Sequence, residues 1–414
     1  MNKVVIVTLG CKQNKYESDC MARILEENGY IVSEELDVAD IYILNTCAVT
    51  SEAEKKSRQY IAKFNKLNEN CKIIICGCAS ENNINQFADK KNVYSIFGTE
   101  NKENILEYIN NPIKSKIEIP KVYNSIKCPK KTTTREYVKI QDGCNNFCTY
   151  CLIPYLRGRS RSRNIDDIVS ECESIATRSK EIVLTGIDIS SYEIDGVKSL
   201  DVLMERLGHI PSLIRLGSLE VGVVTDKLFQ VLANMPNFAP HFHLSLQSGD
   251  DEILKKMNRH YTTQEYYDKV CLIRKYFPDA NITTDVIVGF AFESDEQFEN
   301  TKAFIEKVEF SFVHIFPYSK REGTNAYKLP DLDMSIKKER VDILESVVEK
   351  LHNEYLSKFI GLTSKVLIEE KKDFYEGFTP EYIRCYLDTR VECGEVYNVV
   401  FKEIYKDGIK VELI

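Results

Sequence analysis

Three cysteines within one short segment form the motif in this sequence that is most specific for chemistry. Cys144, Cys148 and Cys151 follow the spacing C-x3-C-x2-C, and no fourth cysteine or histidine lies close by. A closed structural zinc site needs four ligands, whereas three thiolates on one tight loop fit a cubane iron–sulfur cluster that keeps one iron open. An open iron can hold a small molecule by its amino and carboxylate groups. Because iron–sulfur enzymes use this arrangement for radical chemistry on S-adenosylmethionine, the motif predicts that chemistry.

A second set of cysteines is scattered along the N-terminal part of the sequence. Cys11, Cys47 and Cys78 each stand just past the carboxyl end of a predicted strand. Ligands of open parallel sheets bind at that edge, so these cysteines are expected to converge in space although they are far apart in sequence. Three other cysteines lie inside helix or strand patterns and are predicted to be small core residues: Cys20, Cys71 and Cys76.

Further segments make the sequence similar to a known family. Residues 10–18 read Gly-Cys-Lys-Gln-Asn-Lys-Tyr-Glu-Ser, residues 45–50 read Asn-Thr-Cys-Ala-Val-Thr, and Gly77 precedes Cys78. Together with the Cys144 motif, these segments resemble the radical S-adenosylmethionine methylthiotransferases over nearly the whole chain. Members of that family attach a methylthio group to an unreactive carbon.

The resemblance implies S-adenosylmethionine and two 4Fe–4S clusters as cofactors. The cluster on Cys144, Cys148 and Cys151 would donate one electron to S-adenosylmethionine, and the resulting radical would abstract hydrogen from the substrate carbon. In the family an auxiliary cluster is bound by the residues that correspond to Cys11, Cys47 and Cys78. Hydrogen abstraction by a radical needs no general base, so no catalytic residue is predicted beyond the cluster ligands.

Alternating strand and helix patterns predict an α/β protein. Apolar strands between helices predict an open parallel α/β domain at the N-terminus, and six further strand–helix units predict a partial (β/α)6 barrel. Short strands at the C-terminus predict a small antiparallel β-barrel that resembles the TRAM RNA-binding module. Its acidic residues slightly outnumber its basic residues, and the alternative is a structural tail. The predicted domains are 1–111 with the auxiliary cluster, a basic linker at 112–136, the radical domain at 137–358 and the TRAM-like domain at 359–414.

Glycine and polar residues at the ends of the barrel strands are candidates to bind S-adenosylmethionine, since barrel active sites lie there. Glycine lets the backbone approach a ligand closely, although each glycine could equally form a plain turn. The candidates are Gly186, Glu220, Gln247 and Gly289. The family usually has Gly-Phe-Pro-Gly-Glu where residues 289–293 read Gly-Phe-Ala-Phe-Glu, which leaves the shape of that loop open.

The net charge of −8 disfavours nucleic acid as a partner, so any RNA-binding surface must be local. The lysine-rich linker could contact an RNA backbone or be a solvated connector. Four arginines at alternate positions after the cluster motif could likewise form a solvated run, or line one side of a strand and bind cofactor carboxylate or tRNA phosphate. These are Arg157, Arg159, Arg161 and Arg163.

Composition favours a cytoplasmic protein. No apolar run approaches the roughly 18 residues of a membrane span, and Met1 leads directly into a predicted strand rather than a signal peptide. Fourteen cysteines without an export signal indicate metal or redox chemistry in a reducing compartment. The expected partners are the anticodon stem-loop of tRNA and a cellular electron donor, with no membrane.

The substrate prediction depends on the segment around Cys11. Most family members modify an adenosine beside the tRNA anticodon, and one branch modifies an aspartate of a ribosomal protein. The form Cys-Lys-x-Asn-x-Tyr-Glu-Ser resembles the branch that acts on carbon-2 of N6-threonylcarbamoyladenosine, whereas the isopentenyladenosine branch typically has Gln-Met after the cysteine and the ribosomal branch Pro-Lys. The alternatives are one of these other branches, or a zinc-dependent RNA-binding protein without catalysis.

Overall fold

The computed structural model describes residues 2–123 and 134–414, which fall into two compact units. The first unit contains the described residues 2–123, 141–163 and 321–324, and the second contains 134–140, 164–320 and 325–414. Residues 124–133 of the predicted basic linker lie outside the described residues. The two units do not coincide with the predicted domain boundaries, which stay predictions.

Strands and helices alternate through residues 2–123. The apolar segment of β4 shows why strands form here: Ile73, Ile74 and Ile75 are β-branched and fully buried, as expected for a strand covered on both faces. The elements are β1 (Lys3–Thr8), α1 (Lys12–Glu27), β2 (Ile31–Ser33), β3 (Ile41–Thr46), α2 (Ser51–Leu67), β4 (Lys72–Gly77), α3 (Cys78–Asn82), α4 (Asn85–Ala88), β5 (Val93–Ile96) and α5 (Ile105–Asn110).

These five strands form one parallel sheet in the order β2-β1-β3-β4-β5. One apolar cluster, which includes Phe64 and Phe87, packs on one face, and a second, which includes Met21 and Leu25, packs on the other. The sheet confirms the predicted open parallel α/β fold. The three cysteines assigned to the core are buried: Cys20, Cys71 and Cys76.

The middle of the chain continues the alternation, and side-chain caps mark where its helices begin. Thr262 and Ser294 each form a capping box with the third helical residue. The elements are β6 (Arg135–Lys139), β7 (Gln141–Asp142), α6 (Ile153–Arg157), β8 (Arg161–Ser162), α7 (Ile165–Ala176), β9 (Glu181–Thr185), β10 (Glu193–Ile194), β11 (Val197–Lys198), α8 (Leu200–Leu207), β12 (Leu213–Leu216), α9 (Asp226–Asn234), β13 (His241–His243), α10 (Asp251–Lys256), α11 (Thr263–Tyr276), β14 (Asn281–Val288), α12 (Asp295–Val308) and β15 (Phe312–Pro317).

Six of these strands form an open parallel half-barrel in the second unit. β6, β9 and β12 form one sheet and β13, β14 and β15 another. Single parallel bridges, from Ile214 to Phe238 and from Leu219 to Leu244, join the two sheets between β12 and β13. The resulting order β6-β9-β12-β13-β14-β15 confirms the predicted partial (β/α)6 barrel.

The C-terminal part of the second unit is a long helix followed by a closed five-stranded barrel. Its strand order is β16-β17-β18-β20-β19, and all pairs are antiparallel except β18–β20, which is parallel. The predicted small barrel is therefore confirmed. The elements are α13 (Met334–Ser357), β16 (Thr363–Lys371), β17 (Tyr375–Phe378), β18 (Arg384–Leu387), β19 (Val396–Tyr405) and β20 (Gly408–Leu413).

A buried ion-pair network joins the half-barrel to the C-terminal barrel within the second unit. The carboxylate of Glu181, which is 0% exposed, accepts from Nε of Arg215 at 2.6 Å and from Nε of Arg135 at 2.8 Å. Arg215 also donates to the carbonyl of Pro380 at 2.9 Å, and both guanidinium groups lie over the ring of Tyr382. Among the described residues, no helix is both long and apolar enough to span a membrane.

Candidate functional site

Three adjacent strand ends bring Cys11, Cys47 and Cys78 to one edge of the first sheet. β1, β3 and β4 are parallel neighbours; Cys47 directly follows β3, Cys78 directly follows β4, and Cys11 is the N-cap of α1, which follows β1. Cys47 and Cys78 are buried, whereas Cys11 is exposed. Burial raises the pKa of the Cys47 thiol to about 11, and the nearby thiols of Cys78 and Cys11 add to that rise. The three thiols therefore share one site.

Two glycines make room for this site. Gly10 has a φ of +99°, and a Cβ there would lie 2.8 Å from Cβ and 2.9 Å from Sγ of Cys47. Gly77 has a φ of +98°, and a Cβ there would lie 2.5 Å from the carbonyl oxygen of Thr46. Only glycine tolerates both this backbone conformation and this proximity. Three cysteines at a glycine-lined sheet edge fit an iron–sulfur cluster with one open iron.

A fully buried arginine lies beside this site. Nε of Arg157 donates to Sγ of Cys78 at 3.4 Å, while its Nη atoms donate to Glu17 at 2.8 Å, to Asn14 at 2.6 Å and to Asp142 at 3.3 Å. Burial opposes the charged guanidinium, but Glu17, and to a smaller extent Cys78 and Asp142, raise the pKa of Arg157 above its usual value. Burial raises the pKa of the Cys78 thiol, and Arg157 offsets part of that rise. Arg157 therefore favours the thiolate that a metal would need.

Glu17 connects two buried cations at the same edge of the sheet. Its carboxylate pairs with Arg157 and with Lys102, and the Lys102 ammonium also donates to Oδ1 of Asn45 at 3.3 Å. Glu17 and Lys102 are each 1% exposed and Arg157 is 0% exposed. An unpaired buried charge is costly, so the loss of any one of these side chains would destabilise the protein by weakening the pairing of the others. The network holds the α1 and β3 segments that carry Cys11 and Cys47.

The loop that carries Cys144, Cys148 and Cys151 is tightly wound and partly open to solvent. Gly143 has a φ of +72°, and a Cβ there would lie 2.1 Å from the carbonyl oxygen of Arg159. The amide of Cys151 donates to the carbonyl of Cys148 at 3.0 Å, and the amide of Asn146 donates to Sγ of Cys144 at 3.4 Å. Hydrogen bonds to sulfur are a feature of iron–sulfur sites. The half-buried thiols of this loop fit a cluster with one open iron.

The four candidate cofactor residues follow successive strands of the half-barrel in the second unit. Gly186 follows β9, and Glu220 lies beyond β12 with its amide donating to Oγ of Ser190 at 2.7 Å. The carboxylate of Glu220 pairs with Arg259; burial raises its pKa, and Arg259 opposes that rise. Polar groups from two strand ends thus meet at the carboxyl edge of the half-barrel.

The other two candidates have left-handed backbone conformations. Gln247, with a φ of +72°, exchanges backbone hydrogen bonds with β14: its backbone N–H donates to the carbonyl oxygen of Asp285 at 2.8 Å, and its backbone carbonyl accepts from the N–H of Ile287 at 2.9 Å. Gly289 has a φ of +68°, and a Cβ there would lie 2.4 Å from Cγ of Lys337. Packing against α13 is therefore sufficient to require a glycine at this position.

Comparison with known proteins identifies the chain. Residues 3–98 match the Uncharacterized protein family UPF0004, and residues 138–305 match the Radical SAM superfamily. The threonylcarbamoyladenosine tRNA methylthiotransferase MtaB of Thermotoga maritima is 37% identical to this chain, with 99% of this chain and 96% of that protein covered. The chain belongs to the radical S-adenosylmethionine methylthiotransferase family. Membership implies S-adenosylmethionine and a 4Fe–4S cluster as cofactors, and it excludes the alternative of a zinc protein without catalysis.

Other relatives of this methylthiotransferase carry two different names. MtaB of Bacillus subtilis is 35% identical over 93% of this chain and 90% of its own length. The tRNA-2-methylthio-N(6)-dimethylallyladenosine synthase of Thermodesulfovibrio yellowstonii is 33% identical over 99% of this chain and 98% of its own. The solved radical S-adenosylmethionine methyltransferase TsrM of Kitasatospora setae has a TM-score of 0.57 over 77% of this chain and 75% of its own. At 14% identity, TsrM shows a similarity of fold.

Hydrogen bonds hold the loop at residues 289–293 of this methylthiotransferase, although the loop lacks the proline and glycine usual in the family. Oε2 of Glu293 accepts from the amide of Gly289 at 2.7 Å and from Arg340 at 2.5 Å, which closes the loop. Ala291 is fully buried. Phe292 stands where the family usually has glycine, and it adopts a φ of +62° with 55% of its surface exposed. The loop therefore keeps a backbone conformation that favours glycine.

The arginines after the cluster motif do not line one surface of this methylthiotransferase, and that part of the sequence prediction is wrong. Arg157 is buried among carboxylates, and Arg161 is buried and pairs with Glu100 at 3.0 Å. Arg163 is also buried. Arg159 is exposed and lies 4.3 Å from the ring centre of Phe147. Of the four, only Arg159 presents its guanidinium group at the surface.

Sequence reasoning missed the buried ionic partners of this methylthiotransferase. Glu17 lies within the N-terminal motif, yet its pairing with Arg157 and Lys102 joins segments that are 140 and 85 residues away. The one available signal was the charge of a motif residue on the apolar side of an amphipathic helix, where Tyr16, Glu17 and Cys20 are all buried. A charged residue at such a position needs a counter-charge from elsewhere in the fold.

Proposed function

We propose that this protein adds a methylthio group to carbon-2 of N6-threonylcarbamoyladenosine next to the anticodon of tRNA. The observation that carries the proposal is the similarity to two proteins named for that substrate, at 37% and 35% identity over 99% and 93% of this chain. The relative named for dimethylallyladenosine is 33% identical over 99%. Because these identities are close, the segment from Cys11 to Ser18 gives additional support through its resemblance to the threonylcarbamoyladenosine branch.

Each cysteine triad is proposed to hold its own 4Fe–4S cluster. When bound, the two clusters and S-adenosylmethionine supply the electron, the hydrogen abstraction and the sulfur chemistry of the family's reaction. Cys144, Cys148 and Cys151 provide three partly exposed thiols on one loop, which suits a cluster whose open iron must be reached by a small molecule. The other triad, Cys11, Cys47 and Cys78, lies at a sheet edge beside the buried Arg157. A cellular electron donor and a cytoplasmic location belong to the same proposal.

S-adenosylmethionine is proposed to bind at the carboxyl edge of the half-barrel. Gly186 follows β9 and Gly289 follows β14, and Gln247 combines a left-handed backbone conformation with hydrogen bonds to β14. Glu220 provides a carboxylate that Arg259 holds in place, and this carboxylate can accept hydrogen bonds from the ribose hydroxyls or the amino group of the cofactor. A bound cofactor would thus be positioned by side chains that are already held by hydrogen bonds.

The C-terminal barrel is proposed to contact RNA through the aromatic rings and lysines around Tyr405, where Lys410 also pairs with Glu403. The rings of Phe374 and Tyr386 lie 5.4 Å and 5.1 Å from the ring of Tyr405. The ammonium groups of Lys406 and Lys410 lie 5.1 Å and 4.6 Å from the centre of that same ring. Aromatic rings combined with cations are the usual means of holding single-stranded nucleic acid.

The substrate proposal has a direct test based on charge. The threonylcarbamoyl arm carries a carboxylate, which would be costly to bury without a partner, whereas an isopentenyl group needs an apolar pocket. A site built for hydrogen bonds rejects an analogue that lacks them strongly. Purified protein with reconstituted clusters is offered anticodon stem-loops that carry either modification, and the nucleosides are analysed by mass spectrometry. We expect product from the threonylcarbamoyl substrate in large excess; preference for the isopentenyl substrate, or for a ribosomal protein, would overturn the proposal.

A further inference from the structure

A group of metal-ligand side chains lies in the half-barrel, away from both cysteine triads in sequence. His243 is on β13, Asp285 on β14 and His314 on β15, and these are adjacent parallel strands. The register places Asp285 directly opposite His314, and one ligating atom from each of the three residues lies within 4.8 Å of the others. Neighbouring residues of β14 that point to the opposite face, Thr284 and Val286, are fully buried. The three side chains therefore share the more open face of the strands.

The orientation of His243 suits a metal ligand. Its Nδ1 lies 3.0 Å from Oγ1 of Thr283, and its Nε2 lies 3.3 Å from Oδ2 of Asp285. A neutral ring that donates Nδ1–H to the hydroxyl of Thr283 presents the lone pair of Nε2 toward Asp285. Metal-bound histidines commonly use the second ring nitrogen in this way, and the hydrogen bond fixes the ring and its tautomer.

The three residues are also accessible. The side chains of His243 and Asp285 are 15% and 34% exposed, and His314 is exposed. Ligands of one ion with bonds of about 2.0–2.2 Å lie roughly 3 Å apart, and the His243–Asp285 pair already meets that spacing. The ring of His314, 5.9 Å from the ring of His243, can close the remaining distance by side-chain rotation because it is exposed. A plain ion pair between His243 and Asp285 would not involve His314.

We propose that His243, Asp285 and His314 bind one divalent first-row ion of the Mn²⁺, Fe²⁺ or Zn²⁺ class. Two imidazoles and one carboxylate are a recurrent donor set for these ions, and they leave further coordination positions open for water or for an oxygen of a ligand. The nitrogen and oxygen donors distinguish this site from the two cysteine triads, whose soft sulfur ligands favour iron–sulfur clusters. The two cysteine triads can therefore hold their proposed iron–sulfur clusters whether or not this ion is bound.

The test uses Mn²⁺, because this ion prefers nitrogen and oxygen ligands to thiolates. The holoprotein with reconstituted clusters is titrated with Mn²⁺, and the free ion is counted from its electron paramagnetic resonance signal. We expect one bound ion per chain in the wild type and at least a tenfold weaker affinity in His314→Ala and in Asp285→Asn. His314→Ala is the primary variant because the residue is exposed and its loss leaves the fold intact, which circular dichroism verifies.

His209→Ala is the matched control. His209 also pairs with a carboxylate, at 3.1 Å from Glu173, but this exposed pair belongs to no three-ligand group among the described residues. We expect wild-type Mn²⁺ affinity in His209→Ala. Absence of stoichiometric Mn²⁺ binding by the holoprotein would overturn the proposal, and so would equal binding by the wild type and His314→Ala.

Discussion

Nε of Arg157 lies 3.4 Å from Sγ of Cys78, and the guanidinium group of this arginine is completely buried. The same group pairs with Glu17 and Asp142, so one cation serves both a thiol of the proposed auxiliary cluster and the carboxylates that surround it. Hydrogen bonds and charge near the sulfurs tune the reduction potential of an iron–sulfur cluster. The contact between Arg157 and Cys78 therefore joins the buried ion pairs of the first unit to a thiol of the proposed auxiliary cluster.

Substitution of Arg157 tests this connection. Arg157→Met removes a buried counter-charge from the carboxylate of Glu17 and should lower the free energy of unfolding by roughly 3–5 kcal/mol, measured by chemical denaturation. Arg157→Lys keeps the charge but not the planar set of donors, so the protein should fold while the reduction potential of the auxiliary cluster changes. A redox titration followed by electron paramagnetic resonance measures that potential. Wild-type stability of Arg157→Met would contradict the role of this ion pair.

Removal of either cysteine triad should halve the cluster content. Changing Cys144, Cys148 and Cys151 to alanine should leave one cluster and abolish cleavage of S-adenosylmethionine. Changing Cys11, Cys47 and Cys78 should also leave one cluster, but with cleavage retained and methylthio transfer lost. Iron and sulfide analysis after anaerobic reconstitution, with a product assay, measures both effects. The matched control replaces the core cysteine Cys172, which should not alter the iron content. Unchanged iron in either triple variant would show that the assignment is wrong.

The Glu181 network should control stability in acid. Burial alone would raise the pKa of Glu181, but Arg215 and Arg135 outweigh it and hold the pKa below its usual value. The carboxylate therefore stabilises the protein above about pH 4.3, the value expected when the chain is unfolded, and this stabilisation is lost as the pH falls toward the lower pKa of the folded state.

Glu181→Gln should destabilise the protein at neutral pH by roughly 3–5 kcal/mol, because two guanidinium groups lose their buried counter-charge. Its stability should also depend less on pH below about 4.3 than that of the wild type. Chemical denaturation at a series of pH values measures both effects. Glu173→Gln, at an exposed site, is the control and should behave like the wild type. Identical acid unfolding of Glu181→Gln and the wild type would refute the prediction.

Phe292→Gly should stabilise the protein. A left-handed conformation costs a residue with a side chain roughly 1–2 kcal/mol, and glycine avoids this cost while losing about 0.5–1 kcal/mol through its greater freedom in the unfolded chain. Because Phe292 is largely exposed, little packing is lost, and we expect a gain of up to about 1 kcal/mol in thermal or chemical unfolding. Ala291→Gly, one residue earlier and without a positive φ, should instead destabilise by a similar amount. A lower free energy of unfolding for Phe292→Gly than for the wild type would contradict backbone strain at Phe292.

Arg159 is the arginine of the run that remains available to RNA. Arg159→Gln should weaken tRNA binding and lower the slope of log affinity against log salt by about one unit if its guanidinium contacts a phosphate. Filter binding at several salt concentrations measures the slope. Arg206→Gln, which removes an exposed arginine on α8, is the control and should leave the slope unchanged. An unchanged slope in Arg159→Gln would mark Arg159 as solvated surface.

Much of the fold and the position of both cysteine triads could be predicted from the sequence because the signals are local. β9 is a short apolar run and α7 is an amphipathic repeat, so each of these segments defines its own element. Once β1, β3 and β4 are recognised as parallel strands, the cysteines after them must lie near one edge of the sheet. The resemblance to methylthiotransferases also rests on short motifs, which remain readable without the tertiary structure.

The sequence by itself thus determined the family, the alternation of strands and helices, and the cysteines proposed as cluster ligands. Tertiary structure alone decided which charges are buried. An arginine at every second position is compatible with a solvated strand, and only the approach of Glu17 and Glu100, 140 and 61 residues away, buries Arg157 and Arg161. The grouping of His243, Asp285 and His314 likewise required the register of three strands. Ionic partners and ligand sets depend on distances between remote segments, which folding establishes and local patterns do not encode.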